Sequence, residues 1–171
     1  ISMILAAILL KIGGYGLLRT AYTIFPEGAI YYSFGIGALG VCAIIYAALT
    51  ALAMQDLKKM IAYASIAHMG FVLLGLASLT HEGVHGALYQ MVSHGLIVAL
   101  LFGIVGVLQD RTQDRSIENY SGLATPMPYY STIAVMSFFA ALGLPGFSSF
   151  VAELLVLIGV FQASYLPRWM G

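Results

Sequence analysis

Residues 1–18 read ISMILAAILLKIGGYGLL, an apolar run about long enough to cross a bilayer as a helix, with a single charge at Lys11. An ammonium group in hydrocarbon costs roughly 2.5–3.5 kcal/mol on insertion scales. A chain keeps such a charge where a buried partner, a watery cavity or a proton path uses it. Snorkelling to the interface is the bland alternative. It is strained here, because about ten apolar residues precede Lys11 and about seven follow it. Function is therefore the preferred reading of Lys11, as for intramembrane ionisable groups in general.

The rest of the chain agrees with a membrane setting. It is 61% hydrophobic and 8% charged, with no net charge, where about a quarter of the residues of a soluble domain are charged. Nothing points to nucleic acid. The lone cysteine, Cys42, excludes an internal disulfide framework. No basic n-region or cleavage site marks a signal peptide, so the chain is expected to be an internal piece of a longer polypeptide.

Hydropathy and breakers predict an all-α, polytopic transmembrane helix bundle, a single membrane domain over residues 1–171. Five spans are expected, at about 1–24, 32–54, 60–79, 86–108 and 129–164. Pro26, Glu27 and Gly28 stop the first span, and Gln55, Asp56, Lys58 and Lys59 stop the second. The last segment, at about 36 residues, far exceeds the about 20 that one crossing needs. Pro145-Gly146 lies near its middle, and neither half carries charge at the break. Proline removes a helical hydrogen bond and glycine permits irregular backbone, so the segment reads as one helix discontinuous at Pro145-Gly146. Lys58, Lys59, Arg111 and Arg115 fall on one face of such a bundle, Arg19 and Arg168 on the other; the first face is expected in the cytoplasm or the equivalent compartment of an organelle.

Few ionisable groups remain at membrane depth: Lys11, His68, His94 and Glu153, on four different spans. Lysine, histidine and carboxylate are the groups that build proton relays in pumps. A lone histidine in a membrane helix is usually a satisfied interhelical hydrogen-bonder. Four such groups beside a broken helix favour a hydrophilic axis. Gln90 shares a helix face with His94. Tyr63, Ser65, Ser148 and Ser149 could add hydroxyls. His81-Glu82-Gly83-Val84-His85 matches the zinc-peptidase pattern H-E-x-x-H. A third ligand at the usual spacing is missing, so these residues are expected to form a solvated loop that binds no metal.

Four stretches then point to one family: LLKIGGYGLLR (9–19), QDLKKMIAYASIAHMGFVLLG (55–75), GALYQMVSHGLIVALLFGIVGVLQDR (86–111) and LGLPGFSSFVAELLVLIG (142–159). They closely resemble the antiporter-like membrane subunits of respiratory complex I, of the NuoM, NADH dehydrogenase subunit 4 or NdhD type. The resemblance covers nearly the whole chain and would make it the eighth to twelfth of about fourteen helices. It implies that Lys11, His68 and His94 belong to the central proton path, with Glu153 on the broken helix at the exit. Where family members have glycine in the FSSF stretch, this chain has serine, which should stiffen the break slightly.

The implied function is proton translocation within an NADH:quinone oxidoreductase, without redox chemistry or a cofactor in this chain. NADH, FMN, iron–sulfur clusters and quinone are expected on other subunits; there is no cysteine cluster here. Expected partners are the other membrane subunits, the lipid bilayer, protons and internal water. The expected location is a bacterial plasma membrane, otherwise an organelle inner or thylakoid membrane. Alternatives are an Mrp-type sodium/proton antiporter subunit, a membrane-bound hydrogenase subunit and, from another class, a membrane zinc peptidase using His81, Glu82 and His85.

Overall fold

The computed structural model describes residues 2–163, which form six helices. Helix α1 covers residues 2–24, with wider π-helical turns at Leu5–Leu9 and Leu17–Ala21. The others are α2 (Pro26–Leu52), α3 (Leu57–Ala77), α4 (His81–Thr112), α5 (Pro128–Ala141) and α6 (Ser148–Gln162). Helices α2, α3 and α4 are each long and apolar enough to cross a membrane. At 1.5 Å per residue α1 covers about 34 Å, enough for a hydrocarbon core of about 30 Å. The chain is an all-helical membrane bundle. Ile1, Ser164 and Arg168, which enter the expected spans and charge bias, lie outside the described residues.

The helix ends follow from local chemistry. Pro26, expected only to stop the first span, is also the first residue of α2, with Phe25 alone between the helices. Proline suits that position because its missing N–H would be unpaired there anyway. Asp56 caps α3, accepting from the backbone N–H of Lys58 (2.9 Å) and Lys59 (3.2 Å). Thr80 caps α4 by accepting from Gly83 N–H at 3.2 Å. The cap corrects one expectation: residues 81–85 are the first turns of α4, not a loop. The pattern Thr80 followed by an acidic first turn at Glu82 was the available signal.

Small residues let the helices touch. A Cβ on Gly70 would stand 2.7 Å from the carbonyl oxygen of Gly40, so α2 and α3 meet backbone to backbone. Helix α6 lies equally close to α4, where a Cβ on Gly159 would overlap the backbone of Gly83.

Contacts along α4 fix the course of the last segment. Gly83 meets Gly159, Gly86 meets Val156, Ser93 meets Ser148, and the Ile104 carbonyl accepts from the Tyr130 hydroxyl at 2.7 Å. Partner numbers fall as α4 numbers rise. Helices α5 and α6 therefore run in sequence, antiparallel to α4, as two halves of one interrupted helix. Each half alone is about 21–23 Å long, too short for a crossing. The break occupies residues 142–147, wider than Pro145-Gly146, and includes left-handed backbone at Gly143 (φ 65°) and Gly146 (φ 104°).

At the basic end the two loops pair. Leu57 N–H donates to Arg115 O and Ile117 N–H to Gln55 O, both at 3.0 Å. Asp114 organises the second loop by accepting from Ser116 N–H, the Asn119 side chain and Arg115 N–H, which hold its carboxyl below the usual carboxylate range. A depressed pKa means that the arrangement is favoured above the ordinary carboxylate range and lost as pH falls through the lowered value.

The close α4–α6 approach gives the first prediction. Gly159→Leu should force the helices apart and, at an overpacking cost of roughly 1–3 kcal/mol, lower the amount of assembled full-length protein in membranes. Gly103→Ala, where no atom lies within 4 Å of the added carbon, should leave it unchanged.

Candidate functional site

Four helices deliver the four ionisable residues to one row. Lys11 on α1 is 9% exposed, and its Nζ donates to the Ala6 carbonyl at 2.5 Å. That carbonyl belongs to the π-helical turn Leu5–Leu9, where Leu10 N–H bonds to Leu5 O, five residues back. Such turns shift the backbone register and frequently occur at functional sites. The Lys11 stem crosses α4 at Gly95, with Cε 3.9 Å from where a Cβ would stand. The next residue back is His94, 2% exposed, neither of whose ring nitrogens has a partner among the described residues.

The row continues from His94 to α3 and α6. The rings of His94 and His68 lie 5.1 Å apart. His68 Nδ1 lies 3.0 Å from Glu153 Oε1. Glu153 in turn packs on Gly143 of the break, whose missing Cβ would stand 3.0 Å from Glu153 Oε2. Any side chain there would be strained by the positive φ as well as crowded by the carboxylate. The spatial order is Lys11, His94, His68, Glu153, which exchanges the two histidines relative to chain order.

Two further residues complete the constellation. Gln90 is fully buried, with Nε2 3.4 Å from His68 Nδ1 and 3.5 Å from Glu153 Oε1. Its position one turn before His94 showed only that it shares a face; that it reaches the carboxylate follows from helix packing. Ser93 bonds Ser148 at 2.6 Å and approaches Ser149 at 3.5 Å, fastening α4 to the start of α6. Ser148 and Ser149 thus follow the break, in the first turn of α6. Ser65 bonds the Ile61 carbonyl of its own helix at 2.9 Å, and Tyr63 makes no hydrogen bond to the row among the described residues.

A cavity of about 630 Å³ joins this row to the basic-loop end. Its inner end holds His68, His94 and Glu153; Ala48, Ala64 and Leu101 form its walls; Met54 and Ile117 lie at the paired loops. His81 and His85 are elsewhere, exposed in the first turns of α4 with rings 5.8 Å apart. No group of three metal-ligating side chains occurs among the described residues, so the peptidase alternative lacks a third protein ligand there.

Four ionisable residues thus meet inside an all-helical membrane bundle, beside an interrupted helix. Residues 1–170 match the family described as NADH:quinone oxidoreductase/Mrp antiporter, TM, and the chain belongs to that family. It is 46% identical over 170 residues to NADH-quinone oxidoreductase subunit M of Rickettsia bellii, covering 99% of this chain and 34% of that protein. It is 48% identical over 165 residues to NADH-ubiquinone oxidoreductase chain 4 of Marchantia polymorpha, covering 96% and 33%. Among solved structures, a chain of respiratory complex I from Thermus thermophilus with bound NADH superposes with a TM-score of 0.88 at 36% identity, over 94% of this chain and 34% of that one. A chain of the archaeal membrane-bound sulfane sulfur reductase superposes at 0.90 with 27% identity, over 98% and 34%. The chain thus spans about a third of the length of the relatives it matches.

The cavity predicts directional access. With Cys42 replaced by serine in the full-length protein, Ala64→Cys should react with a membrane-impermeant thiol reagent added on the side of the Lys58–Arg115 loops. Protection from that side, with reaction from the opposite one, would contradict the cavity's course.

Proposed function

We propose that this chain is the part of a complex I membrane subunit that carries protons along Lys11, His94, His68 and Glu153. The observation that carries the reading is the His68–Glu153 contact at 3.0 Å with the His94 ring 5.1 Å behind it, at the depth of the helix break. A neutral imidazole accepts on one nitrogen and donates from the other, so two in succession can pass a proton without moving far. Both His94 nitrogens are buried and free of protein partners among the described residues, so their hydrogen-bonding capacity is left for a proton in transit. Glu153 ends the row against irregular backbone, where unpaired peptide groups can hold water. It is the proposed last carrier, handing the proton toward the far side.

The relatives named as NADH:quinone oxidoreductase subunits, at 46% and 48% identity, support complex I over a sodium/proton antiporter or hydrogenase. On this reading the chain performs no redox step. NADH, FMN, iron–sulfur clusters and quinone belong to other subunits, and the partners are neighbouring membrane subunits, lipid, protons and internal water. A bacterial plasma membrane is the proposed location.

The test is pumping by the intact complex in proteoliposomes. Glu153→Gln keeps the shape and removes the titrating group, so assembly should persist while NADH-driven proton transport falls by roughly an order of magnitude or more. Lys11→Ala should do the same. Lys11→Arg should also impair transport, because guanidinium does not release its proton. Normal pumping by assembled Glu153→Gln and Lys11→Ala complexes would overturn the relay.

A further inference from the structure

We propose that Gln90 is a positioning residue whose side-chain amide, by turning over, matches the proton load of the His68–Glu153 pair. The inference rests on the relay proposed above and adds a residue to which it gives no role. Gln90 is the one amide at the pair among the described residues, and it is 0% exposed. Its Nε2 faces both members, 3.4 Å from His68 Nδ1 and 3.5 Å from Glu153 Oε1, while its Oε1 has no protein partner among the described residues.

The amide presents a donor at one end and an acceptor at the other, and burial makes each mismatch costly. With one proton in the His68–Glu153 contact, the carboxylate has oxygen lone pairs to spare. The NH₂ end of Gln90 then fits, donating to Glu153. With a second proton, His68 Nδ1–H and a protonated Glu153 are both donors. The carbonyl oxygen left on Glu153 is then taken by His68 Nδ1–H, so the NH₂ end of Gln90 loses its acceptor and the oxygen end fits the Glu153 hydroxyl in its place. One half-turn of the amide exchanges the two arrangements without moving a helix.

The groups around the pair leave this assignment to Gln90. Lys11 comes from α1 and His94 from α4, while α2 and α5 bring apolar walls, Ile44 and Ala48 from the first and Phe138 and Ala141 from the second. The competing role is interhelical glue, since Gln90 joins α4 to α3 and α6. The two roles differ in pH dependence. Glue holds the helices at any pH; an amide that reads protons shifts the pH at which the pair loads.

The experiment uses the full complex in proteoliposomes, with pumping followed against pH. Gln90→Glu, when ionised, presents only acceptor oxygens to the pair and should stabilise its doubly protonated form. The midpoint of the pumping profile should move to higher pH by about one pH unit or more. Gln90→Met, of similar length but without hydrogen bonds, should pump more slowly. Wild-type rates and midpoints in both assembled variants, or a shift to lower pH in Gln90→Glu, would overturn the proposal. If Gln90→Glu does not assemble, pH-difference infrared spectra of the unaltered complex carrying ¹³C-glutamine decide. An amide C=O shift that titrates with the Glu153 carboxyl band is expected, and carboxyl titration without it overturns the proposal. Failure of the relay itself looks different: Glu153→Gln and Lys11→Ala then pump normally, whatever Gln90 does.

Discussion

The hydrogen bond between His68 Nδ1 and Glu153 Oε1, 3.0 Å long, ties α3 to α6 beside the helix break. Helix α6 is too short to span a bilayer and begins at an irregular six-residue break. A carboxylate about one and a half turns into such a half-helix needs a partner from another element. His68 on α3 supplies it, with Gln90 on α4 beside them. Around that contact the other close approaches make sense: Gly159 on Gly83 brings α6 against α4, and Gly143 leaves room for the carboxylate.

The same requirement explains Lys11. Its ammonium reaches back to the Ala6 carbonyl in a π-helical turn, and its stem crosses α4 beside His94. Charge at membrane depth is thus confined to one row inside the bundle, while the outer faces of α1 and α2 carry exposed apolar side chains such as Ile8, Leu39 and Leu49. Helix packing, not chain order, sets the sequence of groups along the row. The Gln90 amide belongs to the same economy of partners: a buried group with two unlike ends beside a pair whose hydrogen-bonding character changes with each proton.

Much of this was legible from the chain because the membrane imposes a coarse alphabet. Apolar runs of bilayer length, a proline-glycine pair inside an overlong one, and four ionisable groups in otherwise uncharged helices mark the spans, the break and the row. Boundaries were less legible where a residue has two local roles. Pro26 stops one helix and starts the next, and His81–His85 reads as loop only if Thr80 is overlooked as a cap. The exchange of His68 and His94 along the row, the reach of Gln90 to Glu153, and the cavity toward Met54 and Ile117 all depend on which helix faces pack. Single-chain periodicity carries no record of that. The π-helical turns around Lys11 likewise follow from packing, since nothing in LAAIL differs from ordinary helix-forming sequence.

On the proposed relay, the two imidazoles carry protons rather than fill space. The most direct measurement is the number of protons moved per NADH oxidised by the intact complex in proteoliposomes when His68 and His94 are both replaced by phenylalanine. Phenylalanine keeps aromatic bulk while removing every ring nitrogen. A relay through His68 and His94 predicts an assembled complex whose proton yield falls below that of the unaltered one. An assembled complex with an unchanged yield would contradict it.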